Sequence, residues 1–565
     1  MSGTVISPAG TPLPQVLVRV QGTDTRALTS AAGRYFVNAP ANGTLNFTVF
    51  GYRPFQAAIG GRARIDVTMS KISYLEEVVV TGYTEQRRGD ITGAVASINV
   101  ESAARQTGAS VLQKLDAVPG ITVAASGSPG SRSTVRIRGI GSFQNNDPLY
   151  IVDGVPVQDS YINWLNPNDV TSIQVLKDAS SSSIYGSRAS NGVILIETTK
   201  RGASGPPRMT ATVRTGVATP TNGYDRFLLT NALDYFAVVK QSYLNAGLPV
   251  PTNIYGDPNA PTVPDYTYAA PDTRTGTDAF GRPIGVDPAK YSYPNSLIMP
   301  GSSGTNWWDA VFGQPGKVAD FNLNIAGGGE ETGYGVSFNY FDQDGTAAYN
   351  NFKRASVRVN TSFTRSKLTF GENIAVSGER SYGGLPDDAG GETALIGKNI
   401  LMQPVVPVYD LQGNFASGKA VGLGNNTNPL KTAFEGRNNE NQNNRVFGNV
   451  FAGFAVTPTI ALRSSLGFNV AQGSFNGYSP IFPENSEPTF TNSINENASR
   501  STDYTWSNTL KYARARSQHN LSLLLGQEAN AGNNRFIGAG LSNLLSENVD
   551  SRYVQDALGD AKSKV

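Results

Sequence analysis

The run Leu75-Glu76-Glu77-Val78-Val79-Val80-Thr81-Gly82-Tyr83, followed by the polar Glu85-Gln86-Arg87-Arg88-Gly89-Asp90, has the make-up of an exposed extended segment. β-Branched residues set between acids and charge favour a strand that can join another protein's sheet edge through backbone hydrogen bonds. An interdomain linker or an ordinary edge strand has the same composition. The chemistry on offer here is recognition.

Catalytic sets are scarce. The single histidine, His519, stands just before a strand with no partner for acid or base work, and the chain has no cysteine. That removes disulfides, thiolate nucleophiles and cysteine-ligated zinc together, and suits an oxidising compartment. Gly127-Ser128-Pro129-Gly130-Ser131-Arg132-Ser133 lacks the Gly-Lys-Ser/Thr ending of a phosphate loop, and Gly327 to Gly335 reads as a turn. Asp342-Gln343-Asp344-Gly345 has no glutamate at the twelfth position of a calcium loop, so it too reads as a turn. Asp387, Asp388 and Glu392 are a candidate calcium set in a long outer loop; no other cofactor is expected.

Composition says what must position such residues. Charged residues are 16% of the chain against roughly 25% in ordinary soluble domains, and 61 Gly, 25 Phe and 24 Tyr favour strands, turns and aromatic surfaces. Lys plus Arg number 46 and Asp plus Glu 44, so no charge imbalance points to nucleic acid. No run approaches the ~18 apolar residues of a spanning helix. A closed barrel of alternating strands is the other way for a backbone to satisfy its hydrogen bonds in lipid.

The first seventy or so residues read as short strands of a sandwich, Val16 to Val20, Tyr35 to Val37, Leu45 to Phe50 and Ile65 to Met69. From Ile91 to about Arg201 a compact α+β unit is expected: a helix-like stretch at Val111 to Val118 and strands at Ser133 to Arg138, Tyr150 to Val152 and Val193 to Thr198. Beyond it, ten-residue segments alternate, as in Phe321, Leu323, Ile325; Val336, Phe338, Tyr340; Val357, Val359; Leu368, Phe370, Ile374, Val376; Ile460, Leu462, Leu466, Phe468; Tyr504, Trp506, Leu510, Tyr512; and Leu521, Leu523, Leu525. Short connections at 327–332, 364–366, 457–458 and 513–518 alternate with long ones at 343–353, 378–444 and 471–501. Short turns on one side and long loops on the other are how an outer-membrane barrel is threaded. A soluble sandwich gives the same alternation but not such loops.

Several stretches carry a family resemblance. Gly3-Thr4-Val5 through Pro12-Leu13-Pro14 to Gly22-Thr23, with Gly33-Arg34-Tyr35, resembles the carboxypeptidase-regulatory-like β-domain that precedes SusC-type transporters, and Glu76 to Tyr83 is similar to that family's TonB box. Leu115-Asp116-Ala117-Val118-Pro119-Gly120-Ile121, Val135-Arg136-Ile137-Arg138-Gly139, Asp147 to Pro156, Val175 to Ala179 and Ile184 to Ile194 resemble successive SusC plug motifs. Asn306-Trp307-Trp308-Asp309 and Phe341 to Gly345, with Phe352-Lys353-Arg354, are similar to the early barrel strands. The resemblance implies a mainly β protein: an Ig-like carboxypeptidase-regulatory-like β-sandwich at 1–72, a TonB-box-like segment and linker at 73–90, an α+β plug at 91–204 and, at 205–565, the first part of a 22-stranded antiparallel transmembrane β-barrel. Against that pattern there is no leader, and the end at Asp560-Ala561-Lys562-Ser563-Lys564-Val565 is not a closing aromatic strand, so a partial barrel with two open edges is expected.

What the resemblance implies for function is TonB-dependent import of an oligosaccharide or oligopeptide across the outer membrane of a Gram-negative, Bacteroidetes-like cell. The N-terminal domain would lie in the periplasm, and the implied partners are TonB with its inner-membrane energising proteins, a SusD-like surface lipoprotein, the cargo and outer-membrane lipid. TonB is expected to pair with Glu76, Glu77, Val78, Val79, Val80, Thr81, Gly82 and Tyr83 and to pull the plug. Arg136, Arg138 and Arg188 are expected to latch the plug to acids on the barrel wall, or else to be solvated. Gly139, Gly154, Gly186 and Gly192, with Asp153 beside Gly154, are read as tight turns. Phe143, Trp307, Trp308 and Tyr382 are candidate substrate platforms, with girdle or packing roles as the alternative. Two other classes compete: a surface adhesin or receptor that binds carbohydrate or peptide without transport, and a hydrolase, which lacks a metal set.

Overall fold

The computed structural model describes residues 1–7, 10–49, 55–69, 78–81, 84–87, 95–98, most of 108–198, 205–220, 225–329, 331–383, 394–516, 519–548, 550, 552–554 and 562–564. The chain divides into two compact units, residues 1–92 and 93–565.

In the first unit, β1 (Ser2–Ile6), β2 (Leu17–Val20), β3 (Arg26–Leu28), β4 (Arg34–Phe36), β5 (Thr44–Thr48), β6 (Phe55–Ala58) and β7 (Val67–Thr68) form two sheets, ordered β4-β1-β7 and β3-β2-β5-β6. Alternation does the work: Val18 and Val20 of β2 and Leu45 and Phe47 of β5 point inward to meet Val5, Tyr35 and Val67 of the other sheet. Tyr35 and Phe47 meet edge to face at 5.4 Å, and the buried Tyr35 hydroxyl donates to Ile65 O at 2.9 Å. Within the same unit, β8 (Val78–Thr81) pairs antiparallel with β9 (Thr84–Arg87) in a two-stranded sheet.

The second unit begins with a five-stranded sheet of order β10-β15-β16-β13-β14, built from β10 (Val95–Ile98), β13 (Leu149–Val152), β14 (Val155–Val157), β15 (Val170–Leu176) and β16 (Val193–Thr198). The hairpin β11 (Ile121–Ala125) with β12 (Ser133–Ile137) stands beside it. β13 and β16 are parallel and apolar on both faces, as a strand covered on both sides must be. The helix expected at Val111 to Val118 is a single 3₁₀ stretch, Val111–Leu115. Pro119 cannot lie within a continuation of it, because proline removes a donor and restricts the residue before it.

Ten strands make the large antiparallel sheet: β17 (Gly205–Ala218), β22 (Gly316–Gly328), β23 (Thr332–Asp344), β24 (Asn351–Arg365), β25 (Leu368–Tyr382), β26 (Glu440–Thr457), β27 (Ile460–Ser479), β28 (Ser493–Arg516), β29 (His519–Ser542) and β30 (Lys562–Lys564). Four short strands, β18 (Tyr266–Ala269), β19 (Gly276–Thr277), β20 (Pro283–Ile284) and β21 (Ile298–Pro300), lie in the connection 219–315. One face of the large sheet carries Phe338, Val357, Val376 and Val446 in a single cross-strand row, each 37–50% exposed. The opposite face carries Asn339, Arg358, Asn360, Ser377, Arg445 and Asn449, all buried. Apolar side chains outside and polar ones inside invert the order of a water-soluble domain, and this is the pattern lipid imposes. No helix among the described residues is long and apolar enough to cross a membrane.

The connections between β22 and β23, β24 and β25, β26 and β27, and β28 and β29 are short, while 383–439 and 480–492 are long. Two differences from the sequence reading stand out. Strands of 13 to 24 residues replace the ten-residue segments, so the long connections shrink. β17 and the connection 219–315 also appear where no strand was expected.

Candidate functional site

The functional geometry lies where the five-stranded domain sits against the polar face of the large sheet. The first contact is the turn between β13 and β14. Val152 pairs with Val155, leaving Asp153 and Gly154 as a two-residue loop with φ of 49° and 83°. Positive φ at both positions is the type I′ hairpin, which Asp-Gly favours. Asp153 Oδ1 accepts from Thr198 N at 2.9 Å, and Oδ2 accepts from Thr198 Oγ1 at 2.7 Å, so β16 fixes the carboxylate. Across the interface the same Oδ2 accepts from Asn373 Nδ2 at 2.5 Å and Arg358 Nη1 at 3.1 Å, while Asp153 O accepts from Asn449 Nδ2 at 2.9 Å. Val155 fills the space left by Gly467, where a Cβ would stand 2.7 Å from Val155 Cγ2.

A second contact is the connection 161–169. Tyr161 donates to Glu379 Oε2 at 2.9 Å, and Arg354 Nη1 donates to Asn163 O at 2.5 Å. The Trp164 ring lies 4.6 Å from that of Phe447. Asn166 Nδ2 donates to Asn322 Oδ1 at 2.9 Å, and Arg214 Nη1 reaches both Asn168 Oδ1 at 2.8 Å and Asp320 Oδ2 at 3.0 Å. Asp169 Oδ2 stands 3.4 Å from Arg358 Nε. Burial holds the Asp169 carboxyl above the ordinary carboxylate range, against the opposing pull of Arg358. Burial, then Glu379, pushes the Tyr161 hydroxyl well up. A third contact lies near the hairpin: Asn350 Nδ2 donates to Ser128 Oγ at 2.7 Å, and Gly130 leaves room for the Phe352 ring.

Arg358 is the centre of this interface. Its side chain is 3% exposed, and it faces Asp153 and Asp169, which are 8% and 4% exposed. A guanidinium between two carboxylates in so dry a place is far more costly to leave without its partners than a surface pair is.

The arginines singled out in the sequence divide. Arg188 reaches the sheet, with Nη2 2.6 Å from Glu528 Oε1 on β29. The wall contact expected of Arg136 and Arg138 is corrected: Arg136 pairs with Asp147 at 2.5 Å and Arg138 with Asp178 at 2.6 Å, both inside their own domain. Those acids are nearer along the folded chain and hold the arginines before the sheet can. Gly139, Gly154, Gly186 and Gly192 all have positive φ. At Gly192 a Cβ would also meet Ile137 Cδ1 at 2.8 Å.

Trp307 is corrected as a substrate platform. It is 3% exposed in the core of the long connections, donating from Nε1 to Gln403 O at 3.2 Å. Trp308 packs against Phe312 at 4.9 Å, Tyr382 is half-buried at the end of β25, and Phe143 is fully exposed. Val78, Val79, Val80 and Thr81 form β8, whose one partner among the described residues is β9. Glu76, Glu77, Gly82 and Tyr83 lie outside the described residues, as do Asp387, Asp388 and Glu392. Among the described residues no group of three His, Asp or Glu side chains is placed to hold a metal ion. Sequence reasoning missed Arg354, Arg358, Asn373, Asn449 and the connection 161–169. The available signal was two arginines four apart on an otherwise alternating strand.

Residues 87–193 match the TonB-dependent Receptor Plug Domain, a span that takes in the five-stranded domain just described as far as the start of β16. The chain is 30% identical over 486 residues to TonB-dependent receptor P39 of Formosa agariphila, covering 85% of this chain and 41% of that protein. It is 27% identical over 508 residues to TonB-dependent receptor SusC of Bacteroides thetaiotaomicron, covering 84% and 44%. The RagAB peptide importer in its open-open state superposes with a TM-score of 0.66 at 25% identity, over 86% of this chain and 53% of that one. The chain is similar over most of its length to SusC/RagA-type TonB-dependent receptors. It spans about half the length of the curated relatives it matches, 41% to 50%. The five-stranded domain is therefore the plug and the large sheet is barrel wall, in a family of outer-membrane proteins whose relatives are receptors and transporters rather than enzymes.

Proposed function

We propose that this chain supplies the plug and part of the barrel of a TonB-dependent importer that takes up an oligosaccharide or oligopeptide together with a SusD-like surface lipoprotein. The observation that carries the reading is the seating of the plug on a wall of buried polar side chains, Arg354, Arg358, Asn373 and Asn449. Polar contacts can separate and be replaced by water, so a plug held mainly by them can move and return, while the apolar part of the contact is confined to Ala375 and Phe447 on the wall.

The outer membrane has no nucleotide supply, so the work of uptake arrives as force. β8 supports this role because it is a short β-branched strand with an edge to offer. TonB would add to that edge, and hydrogen bonds loaded together in shear carry force better than scattered side-chain contacts. The test is deletion of residues 76–83 in the full chain, followed by cargo uptake and cargo binding. Uptake stops while binding persists; undiminished uptake refutes the proposal.

A further inference from the structure

On the outward face of the wall, one cross-strand row runs Tyr340, Ala355, Gly378, Asn444, Gln472, Arg500 and Arg535 across β23 to β29. Arg500 and Arg535 are therefore direct neighbours, and like charges placed opposite each other repel. Other charges near this level are neutralised: Lys353 Nζ stands 3.4 Å from Asp342, and Arg380 Nε stands 3.5 Å from Glu440. Neither Arg500 nor Arg535 forms an ion pair among the described residues, and the carboxylate of Glu496, four residues away, accepts from Asn476 Nδ2 at 3.3 Å.

The pair also has a setting. Arg500 and Arg535 line a shallow cavity with Thr502, Tyr504, Asn533 and Gly532. Directly below, on the same face, Tyr504, Trp506, Leu510, Leu523 and Leu525 are 37–59% exposed. The pair stands toward the end of β28 next to the long connection 480–492, away from the end that meets β29. Long connections mark the outer side of such barrels. Two guanidiniums without an ion partner among the described residues thus sit at the apolar boundary on the outer-leaflet side, where a lipid places its headgroup.

We propose that Arg500 and Arg535 form a binding site for a phosphate of an outer-leaflet lipid, with Thr502 and Asn533 as additional hydrogen-bond donors and the lipid's acyl chains lying over Tyr504, Trp506 and Leu525. Phosphate matches guanidinium geometry and screens the repulsion between the two arginines. The inference rests on the outward face meeting lipid.

The test is native mass spectrometry of the full chain in mild detergent, with lipid A bearing two phosphates, its dephosphorylated form and inorganic phosphate as probes. The wild-type chain retains the phosphorylated lipid. R500Q/R535Q lowers the retained fraction about tenfold, and the dephosphorylated lipid is retained as poorly by the wild type. Equal retention by the double variant overturns the site, and displacement of the lipid by inorganic phosphate makes it a free-anion site and overturns the lipid assignment. If the chain is soluble without detergent, it is the membrane reading that fails. Plug contacts do not involve either arginine, so plug protection against hydrogen exchange stays unchanged in the variant.

Discussion

Replacing Arg358 with Met keeps most of the side-chain volume and removes the charge that the plug grips. Arg358 touches Asp153 at 3.1 Å and Asp169 at 3.4 Å, and its Nη1 also meets Thr198 Oγ1 at 3.1 Å and Asn373 Oδ1 at 2.7 Å. Removing one member of a buried ion pair destabilises by about 3–5 kcal/mol, because the carboxylates left behind are dry and lose the cation that faces them. If all of that falls on the seated state, the ratio of seated to unseated plug drops by roughly two to three and a half powers of ten. By contrast, Arg188 and Glu528 are 34% and 18% exposed, so Arg188→Gln costs about 0.2–1 kcal/mol. Hydrogen exchange separates the two. The amide of Thr198 donates to Asp153 and reports directly on the turn beside Arg358. Arg358→Met speeds exchange at Thr198 and across residues 149–157, and Arg188→Gln barely changes it. Equal effects, or protection at Thr198 untouched by Arg358→Met, would refute the idea that Arg358 holds the plug.

Gly467→Ala drives a methyl group into Val155 and weakens plug seating by about 1–3 kcal/mol without touching any charge, read as faster exchange in residues 155–157. The raised Asp169 carboxyl binds its proton more tightly folded than unfolded, so its contribution to stability is full below the unfolded pKa and is lost as pH rises through the folded one. Asp169→Asn therefore removes a contribution that falls as pH rises, so the stability of the variant relative to the parent increases with pH above the unfolded carboxylate pKa, measured by thermal unfolding in detergent; a pH-independent difference contradicts this. Lys431 and Glu484 meet at 2.8 Å with side chains 7% and 1% exposed, so Lys431→Met loosens the outer connections by about 3–5 kcal/mol, seen as faster proteolysis within 480–492. Trp307→Ala lowers the stability of the same assembly rather than cargo affinity alone, since the ring is buried among Phe236, Tyr255 and Met299.

The wall was legible where one side meets lipid. Phe338, Val357, Val376 and Leu466 alternate with polar residues because each strand there separates oil from a wet interior, and period two is then enforced. Beyond the lipid the demand lapses. Residues 471–479 and 493–503 continue β27 and β28 with mostly polar side chains on both faces, Phe475, Tyr478 and Ile494 aside, so they read as loop although their backbone pairing is unbroken. β17 alternates only weakly, through Met209, Ala211 and Val213, and was lost for the same reason.

At the site, turn chemistry was legible and partner choice was not. Asp153-Gly154 announces a hairpin from two residues, but Arg358 lies 205 residues further along the chain. Arg136 and Arg138 were visible as candidates for the wall, yet Asp147 and Asp178 claim them locally. The connection 161–169 carries no period and no charge cluster; its role comes from where β15 and β16 hold it.

The wall divides two surfaces, with lipid on one side and the plug on the other. The chain has no cysteine, so single cysteines at Phe338, Val376 and Asn360 can be labelled against a clean background in reconstituted membranes. Cysteines at 338 and 376 are predicted to react with a lipid-soluble maleimide and resist a charged one, while a cysteine at 360 stays shielded from both until the plug is unseated. Ready reaction of 338 and 376 with the charged reagent in intact membranes would contradict the account.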